Sequence, residues 1–227
     1  IEHVQGDPFA APSALRIFVP HSKAKFPERY YWDKCSKVAL QDALLRRFAE
    51  ISAKFCYQAK GSGKSGVIQV SHCGQEVLER TACEITKEGI HIRFFVGFPA
   101  NGRTINSGEL EKILFVYLPK CVEMSLYHRK VPERETEQVI CLKEDQRVIR
   151  EELKKRGLIA FVANGSILPR QSGNSDLPMK DAVPFQSPKS MEITIQLRHR
   201  GSITGMGIRK GITLIAGGGY HGKSTLL

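Results

Sequence analysis

The sequence predicts an α/β chain in which a mixed α+β N-terminal domain, residues 1–180, leads into the first strands of a phosphate-loop domain, residues 181–227. Three observations carry that reading. Helical and extended hydrophobic periods alternate as far as Asn164. A stretch rich in Pro, Ser, Gly, Asn and Asp, 167–188, then reads as a long loop or interdomain connection, with a boundary near 175–190. Beyond it, a continuous apolar run enters the spacing G-x-x-x-x-G-K-[ST].

Taken in order, Ser13–Val19 reads as a short strand between Pro12 and Pro20. Lys34–Phe55 reads as an amphipathic helix, because Leu44, Phe48, Ile51 and Phe55 recur at helical spacing while Arg46, Glu50 and Lys54 ladder a wet face. Val67–Val70 is a short apolar run. Cys83–Thr86 and Ile90–Phe98 flank Lys87-Glu88-Gly89, a hairpin signal, and Phe94-Phe95-Val96 implies a strand buried on both faces. Ser107 is the expected cap of a second helix, with Leu110, Ile113, Leu114 and Tyr117 on its apolar stripe; Pro119 breaks it or restarts it at its first position. Glu144–Arg156 reads as a third helix closed by Gly157, followed by a strand, Leu158–Val162, and an Asn164-Gly165 turn. Met191–Leu197, Ile203–Ile208 and Gly211–Ala216 read as extended, the last as a buried strand.

The motif at the end is the most informative feature. In Gly217-Gly218-Gly219-Tyr220-His221-Gly222-Lys223-Ser224, glycines let successive N–H groups turn inward around a phosphate. Lys223 is placed for β/γ-phosphate oxygens, and Ser224 for Mg²⁺; Thr225 continues into a helix that begins at Lys223. ATP and Mg²⁺ are the ligands this chemistry implies. A second run, Gly61-Ser62-Gly63-Lys64-Ser65, imitates the motif, but Gln58 stands where the first glycine belongs and strand-like residues follow. It reads as a surface turn or as a basic loop touching nucleotide or nucleic acid. Arg170 is either a phosphate clamp or a solvated cation. Phe185 is either an adenine platform or core packing, and Asp7 either a turn-former or a contact.

The net charge is +11, with ten basic against six acidic residues in 1–60 and eight against three in 166–227. Such a surplus attracts phosphate backbones, or is offset by acidic residues elsewhere in a longer protein. The basic loops at Lys60–Lys64, His128-Arg129-Lys130 and Arg198-His199-Arg200 are candidate nucleic-acid contacts, with an ordinary solvated face as the plain alternative. Phe26, Tyr30, Tyr31 and Trp32 interleave with Lys23, Lys25, Arg29 and Lys34 in a pattern suited to single strands. The candidate RNA contacts are therefore Arg29, Lys34, Lys60, Lys64, Arg129 and Lys130. No stretch reaches about 18 consecutive apolar residues, so no helical membrane span is expected. Six scattered cysteines without a Cys-x-x-Cys pair suggest reduced, structural thiols in a reducing compartment. The absence of an initiator Met and the stop inside an expected helix read as a fragment of a longer chain.

Residues 192–227 resemble the opening of an ABC-type ATPase domain: an antiparallel strand, a basic–Gly turn, then the strand that feeds the phosphate loop. A narrower resemblance covers nearly the whole chain. Ile1–Ser13 (IEHVQGDPFAAPS), Gly61–Gly66 (GSGKSG), Gly74–Ala82 (GQEVLERTA), Phe161–Arg170 (FVANGSILPR) and Gly205–Leu227 occur in the order found in the ATPases of the ABC class. That resemblance implies a homodimer that binds ATP, carries a basic RNA-binding pore and belongs to an RNA-processing complex. The described member is a mitochondrial RNA-editing accessory ATPase of kinetoplastids, which implies a mitochondrial setting. It also implies that a signature loop and an acidic Walker B strand, neither present here, complete the site. The catalytic carboxylate is thus expected outside these residues, and the 227-residue piece is expected to be inactive alone.

Overall fold

The computed structural model describes residues 1–219 and 222–226. It divides into two compact units, Ile1–Ile140 and Cys141–Leu227.

The first unit is built on a four-stranded sheet with a single central strand. In chain order its elements are β1 (Ser13–Pro20), α1 (His21–Ala24), a 3₁₀ turn (Glu28–Tyr30), α2 (Lys34–Ala53), β2 (Ile68–Gln69), β3 (Cys83–Ile85) and β4 (Gly89–Val96). After these come β5 (Ala100–Asn101), β6 (Thr104–Ile105), α3 (Ser107–Lys112), a π turn (Ile113–Tyr117) and α4 (Leu118–Leu126). β1 pairs antiparallel with β4 along its full length, Ser13 opposite Val96 and Pro20 opposite Gly89. β2 and β3 take the other edge of β4. The two-residue period of the strands sends Leu15, Val19, Ile90, Ile92, Phe94 and Val96 into one core with Leu40, Leu44, Phe48 and Ile51 of α2. Phe95 departs from expectation: alternation turns it to the opposite face, where it is exposed, so the Phe94-Phe95-Val96 run is buried on one side only.

Asp33 starts α2, its carboxylate accepting from the N–H groups of Cys35 (2.7 Å) and Ser36 (3.2 Å). The cap of α3 is Asn106 rather than Ser107; its side chain accepts from the N–H of Glu109 at 3.2 Å. Pro119 offers no N–H to the carbonyl four residues back. The chain accommodates it by widening to the π turn, with Leu118 N–H donating to Ile113, and then continues as α4.

The helix α5 (Glu133–Lys155) begins eleven residues earlier than its apolar period suggested, since residues 133–138 carry no apolar side chain and its start is anchored by the buried Thr136 and Ile140. Glu133 and Glu135 in its first turn and Lys154 and Lys155 in its last suit the helix dipole. Gly157, at φ +65°, closes it as expected, its N–H donating to Lys154.

The second unit holds β7 (Leu158–Ala163), β8 (Glu192–Gln196), β9 (Ser202–Arg209) and α6 (Lys223–Leu226). β9 is central, antiparallel to β7 on one side and β8 on the other. Residues on both sides of the expected boundary at 175–190 therefore share one sheet, and the compact division falls at 140/141 instead. The expected strand Gly211–Ala216 does not form. Both edges of β9 are already occupied, no described strand pairs with this segment, and Ile212 and Leu214 stand exposed.

Candidate functional site

The phosphate-loop segment belongs to the second unit. Tyr220 and His221 lie outside the described residues; Gly217, Gly218, Gly219 and Gly222 to Thr225 are described. Gly222, at φ +76°, turns the chain into α6, which starts at Lys223 as the motif requires, with Thr225 and Leu226 N–H groups donating to the Gly222 carbonyl at 3.1 Å. The Lys223 ammonium folds back over the loop and donates to the carbonyls of Gly217 (2.7 Å) and Gly218. Ser224 and Thr225 are exposed.

Arg170 meets them. Its segment is a narrow hairpin-like loop in which Gln171 N–H donates to Leu177 (2.9 Å), Met179 N–H to Pro169 (2.8 Å), and Arg170 Nη1 to the Asp176 carbonyl (3.1 Å). Arg170, Gln171 and Ser172 line one wall of a cleft of about 650 Å³ whose other wall is Ser224, Thr225 and Leu226. Among the described lining residues there is a guanidinium and several hydroxyls but no carboxylate. That donor set suits a polyanion, and the volume suits a nucleotide-sized ligand.

Phe185 lies elsewhere. It is half-buried, its N–H donates to Ser166 and its carbonyl accepts from Gly165, both at 2.8 Å, which ties the end of the 167–188 loop to the Asn164-Gly165 turn. It is not among the residues lining the cleft. Asp7 forms a local turn, its carboxylate accepting from Phe9 N–H at 2.9 Å.

The look-alike run at Gly61–Gly66 has another task. Ser62 N–H donates to Ala100, Lys64 N–H to Pro8, Ser65 N–H to Ser62 and Gly66 N–H to Gly97. Ser65 Oγ accepts from Ala100 N–H, and Ser62 Oγ from Gly102 N–H. Gly63, at φ +59°, sits so close to Pro8 that a Cβ would meet its carbonyl oxygen at 2.5 Å. With these donors committed to the N-terminal segment and to the β5 turn, the loop is a clasp and not a phosphate cradle.

The six candidate RNA contacts are scattered over the first unit, and four are ion-paired. Arg29 pairs with Glu137 (3.1 Å), Lys34 with Glu79 (3.0 Å), and Arg129 and Lys130 both with Glu123 (3.1 and 4.0 Å). Lys60 and Lys64 are exposed, the former anchored through its backbone N–H to Glu109. Lys112 and that N–H together hold the Glu109 carboxyl below its ordinary range, the Lys112 bond being the larger cause. The aromatic interleaving at 26–32 is mostly core: Phe26 and Tyr30 are buried, and only Trp32 is well exposed. Burial, then the hydrogen bond to Glu137, raises the Tyr30 hydroxyl above its usual range.

The relationship to known proteins agrees with this architecture. Residues 1–129 match the family model described as the N-terminal domain of the ATPases of the ABC class, and residues 132–227 match the ABC_ATPase model described as its P-loop domain. Uncharacterized protein MJ1628 of Methanocaldococcus jannaschii is 33% identical over 95 residues, which cover 37% of this chain and 20% of that protein. The chain therefore spans about a fifth of that curated relative's length. With matched models running from Ile1 to Leu227 and a phosphate-loop motif at the matched end, the chain belongs to the ATPases of the ABC class.

Proposed function

We propose that the protein binds ATP with Mg²⁺ at Gly217–Thr225, works as a homodimeric ATPase, and acts on RNA as an accessory factor in mitochondrial RNA editing or processing. The observation that carries the nucleotide part is the shared cleft: Arg170, distant in sequence, lines the same space as Ser224 and Thr225. Bound ATP would supply a polyphosphate whose terminal transfer to water releases free energy for a conformational cycle. Lys223 would neutralise its β/γ oxygens, Ser224 would give a hydroxyl to the metal, and the Arg170 fork would clamp a phosphate. In family members the second half of the composite site comes from a signature segment and a Walker B carboxylate, so a dimer is the working unit of this reading.

The RNA part has as its support the family resemblance, the basic surplus and the two exposed lysines of the Gly61–Gly66 loop. The experiment is filter binding of single-stranded RNA, double-stranded RNA and no-RNA controls, with and without MgATP. ATP-sensitive RNA retention is the expected result. Retention of nucleotide without RNA in any state would sink the RNA part and leave a nucleotide-gated protein-interaction switch, the reading that the four ion-paired cations favour.

A further inference from the structure

The register of β1 on β4 gathers side chains far apart in sequence on the face of the sheet that α2 does not cover. Ala14, Arg16 and Phe18 lie opposite Phe95, Arg93 and His91. Phe18 stacks on His91 with ring centroids 4.7 Å apart and planes 29° from parallel. Opposite Pro20 stands Gly89, where a Cβ would come within 2.8 Å of Phe18 Cε2; the glycine leaves room for that ring to lie across β4. Phe18 and Phe95 are each 46% exposed.

Between these two aromatic positions Arg16 and Arg93 face each other across the ladder. Like charges directly opposed cost a sheet stability, and exposed phenylalanines add nothing to the core. Glu2 at 3.2 Å from Arg16 Nε, and Glu84 beside Arg93 Nη1, steady the two guanidiniums through one nitrogen each. Each fork keeps further N–H donors. The pattern is aromatic, cationic pair, aromatic, on an open sheet whose other face is packed on a helix.

We propose that this face binds single-stranded nucleic acid, with bases stacked on Phe95 and on the Phe18–His91 pair and phosphates held by Arg16 and Arg93. Phe95 and His91 are four residues apart on one strand, about 14 Å, which accommodates a run of about two or three bases as on other sheet platforms. Stacking is tolerant of sequence, so the surface reads strandedness rather than base identity. The choice of RNA as the strand rests on the reading above; the surface is distinct from the Lys60–Lys64 loop.

The test is fluorescence anisotropy of the full chain with a labelled oligouridine, against a blunt RNA duplex of the same length. Phe18→Leu and Phe95→Leu keep apolar volume and remove the π face, and thermal melts confirm that these exposed substitutions leave the fold intact. Each is expected to weaken single-strand affinity about tenfold to a hundredfold. Arg16→Gln with Arg93→Gln should lower the salt slope by about two. Undiminished affinity in both leucine variants overturns the inference while leaving RNA binding standing. Equal affinity for the duplex also overturns it, because stacking needs unpaired bases. If the leucine variants instead dissociate a dimer in sedimentation velocity and leave RNA affinity unchanged, the face joins two copies and the inference falls. No RNA binding by the unaltered chain removes both this inference and the RNA reading.

Discussion

The Asp42 carboxylate, sealed inside the first unit, accepts from Arg80 with one oxygen and from Arg46 Nε with the other at 2.6 Å. Arg46 also donates to the Gly74 and Glu76 carbonyls, and Arg80 to those of Glu76 and Leu78. One buried charge on α2 thus fixes the otherwise irregular segment 74–80, which contains much of the Gly74–Ala82 motif.

Asp42→Ala should therefore cost about 3 kcal/mol of stability, because two guanidiniums lose the charge they were folded around. Urea denaturation of the chain checks it. A loss below about 1 kcal/mol would mean that water replaces the carboxylate at little cost.

Lys223→Ala should weaken binding of a fluorescent ATP analogue at least tenfold, and Arg170→Ala by about tenfold, since each removes a charge-assisted contact to phosphate. Phe185→Ala is expected to leave nucleotide affinity within about twofold and to lower thermal stability, given its half-buried place at the Gly165 turn. Titration of the three variants side by side separates a clamp from a packing residue.

The 227-residue chain should bind MgATP without turning it over. The described residues lining the cleft include no carboxylate that could position a water. A phosphate-release assay showing sustained hydrolysis would contradict this.

Neutralising Lys60 and Lys64 should lower the salt slope of RNA binding by about two if both meet phosphates. Arg29→Gln should scarcely change that slope, because its Nη2 donates to both Glu137 and the Tyr30 hydroxyl and its guanidinium is laid over the Tyr30 ring. Affinity measured over a salt series gives both numbers from one set of variants.

Cys83 and Cys121 should resist alkylation in the folded chain. Burial pushes the Cys121 thiol up to about 11 and the Cys83 thiol above its ordinary range. Raised folded values mean that the stability these buried thiols contribute is present below the unfolded thiol range and is lost as pH rises through it. The melting temperature should fall as pH is taken above about 9, and fall less in a Cys83→Ala, Cys121→Ala variant. Mass-spectrometric labelling and a melting series against pH read out the two halves of this prediction.

Local patterns explain which parts were legible in the sequence. The α2 stripe, the hairpin around Lys87-Glu88-Gly89, Gly157 as a helix stop and Lys223 as a helix start each depend on a few neighbouring residues, and each is present in the fold. The first turns of α5 carry almost no apolar period, so the helix looked shorter than it is. Gly211–Ala216 has the composition of a buried strand, but a strand is made by its partners, and none of the described strands is available to it. Phe26 and Tyr30 sit among lysines and read as surface, whereas tertiary packing places them in the core. The pairing of Arg16 with Arg93 was illegible for a different reason: it depends on the register between two strands that are distant in sequence. At the site, the motif names the loop but leaves Arg170 open between a clamp and a solvated cation, and only the fold sets Arg170 in one cleft with Ser224.

The β7–β9 ladder, Leu158 opposite Arg209 through Ala163 opposite Gly205, spans the 167–188 loop, which is exposed over most of its middle. A protease that nicks that loop should not release either piece. The severed halves would travel as one particle under native conditions and part only in denaturant, so a clean digest on a denaturing gel would give a false picture of two independent modules.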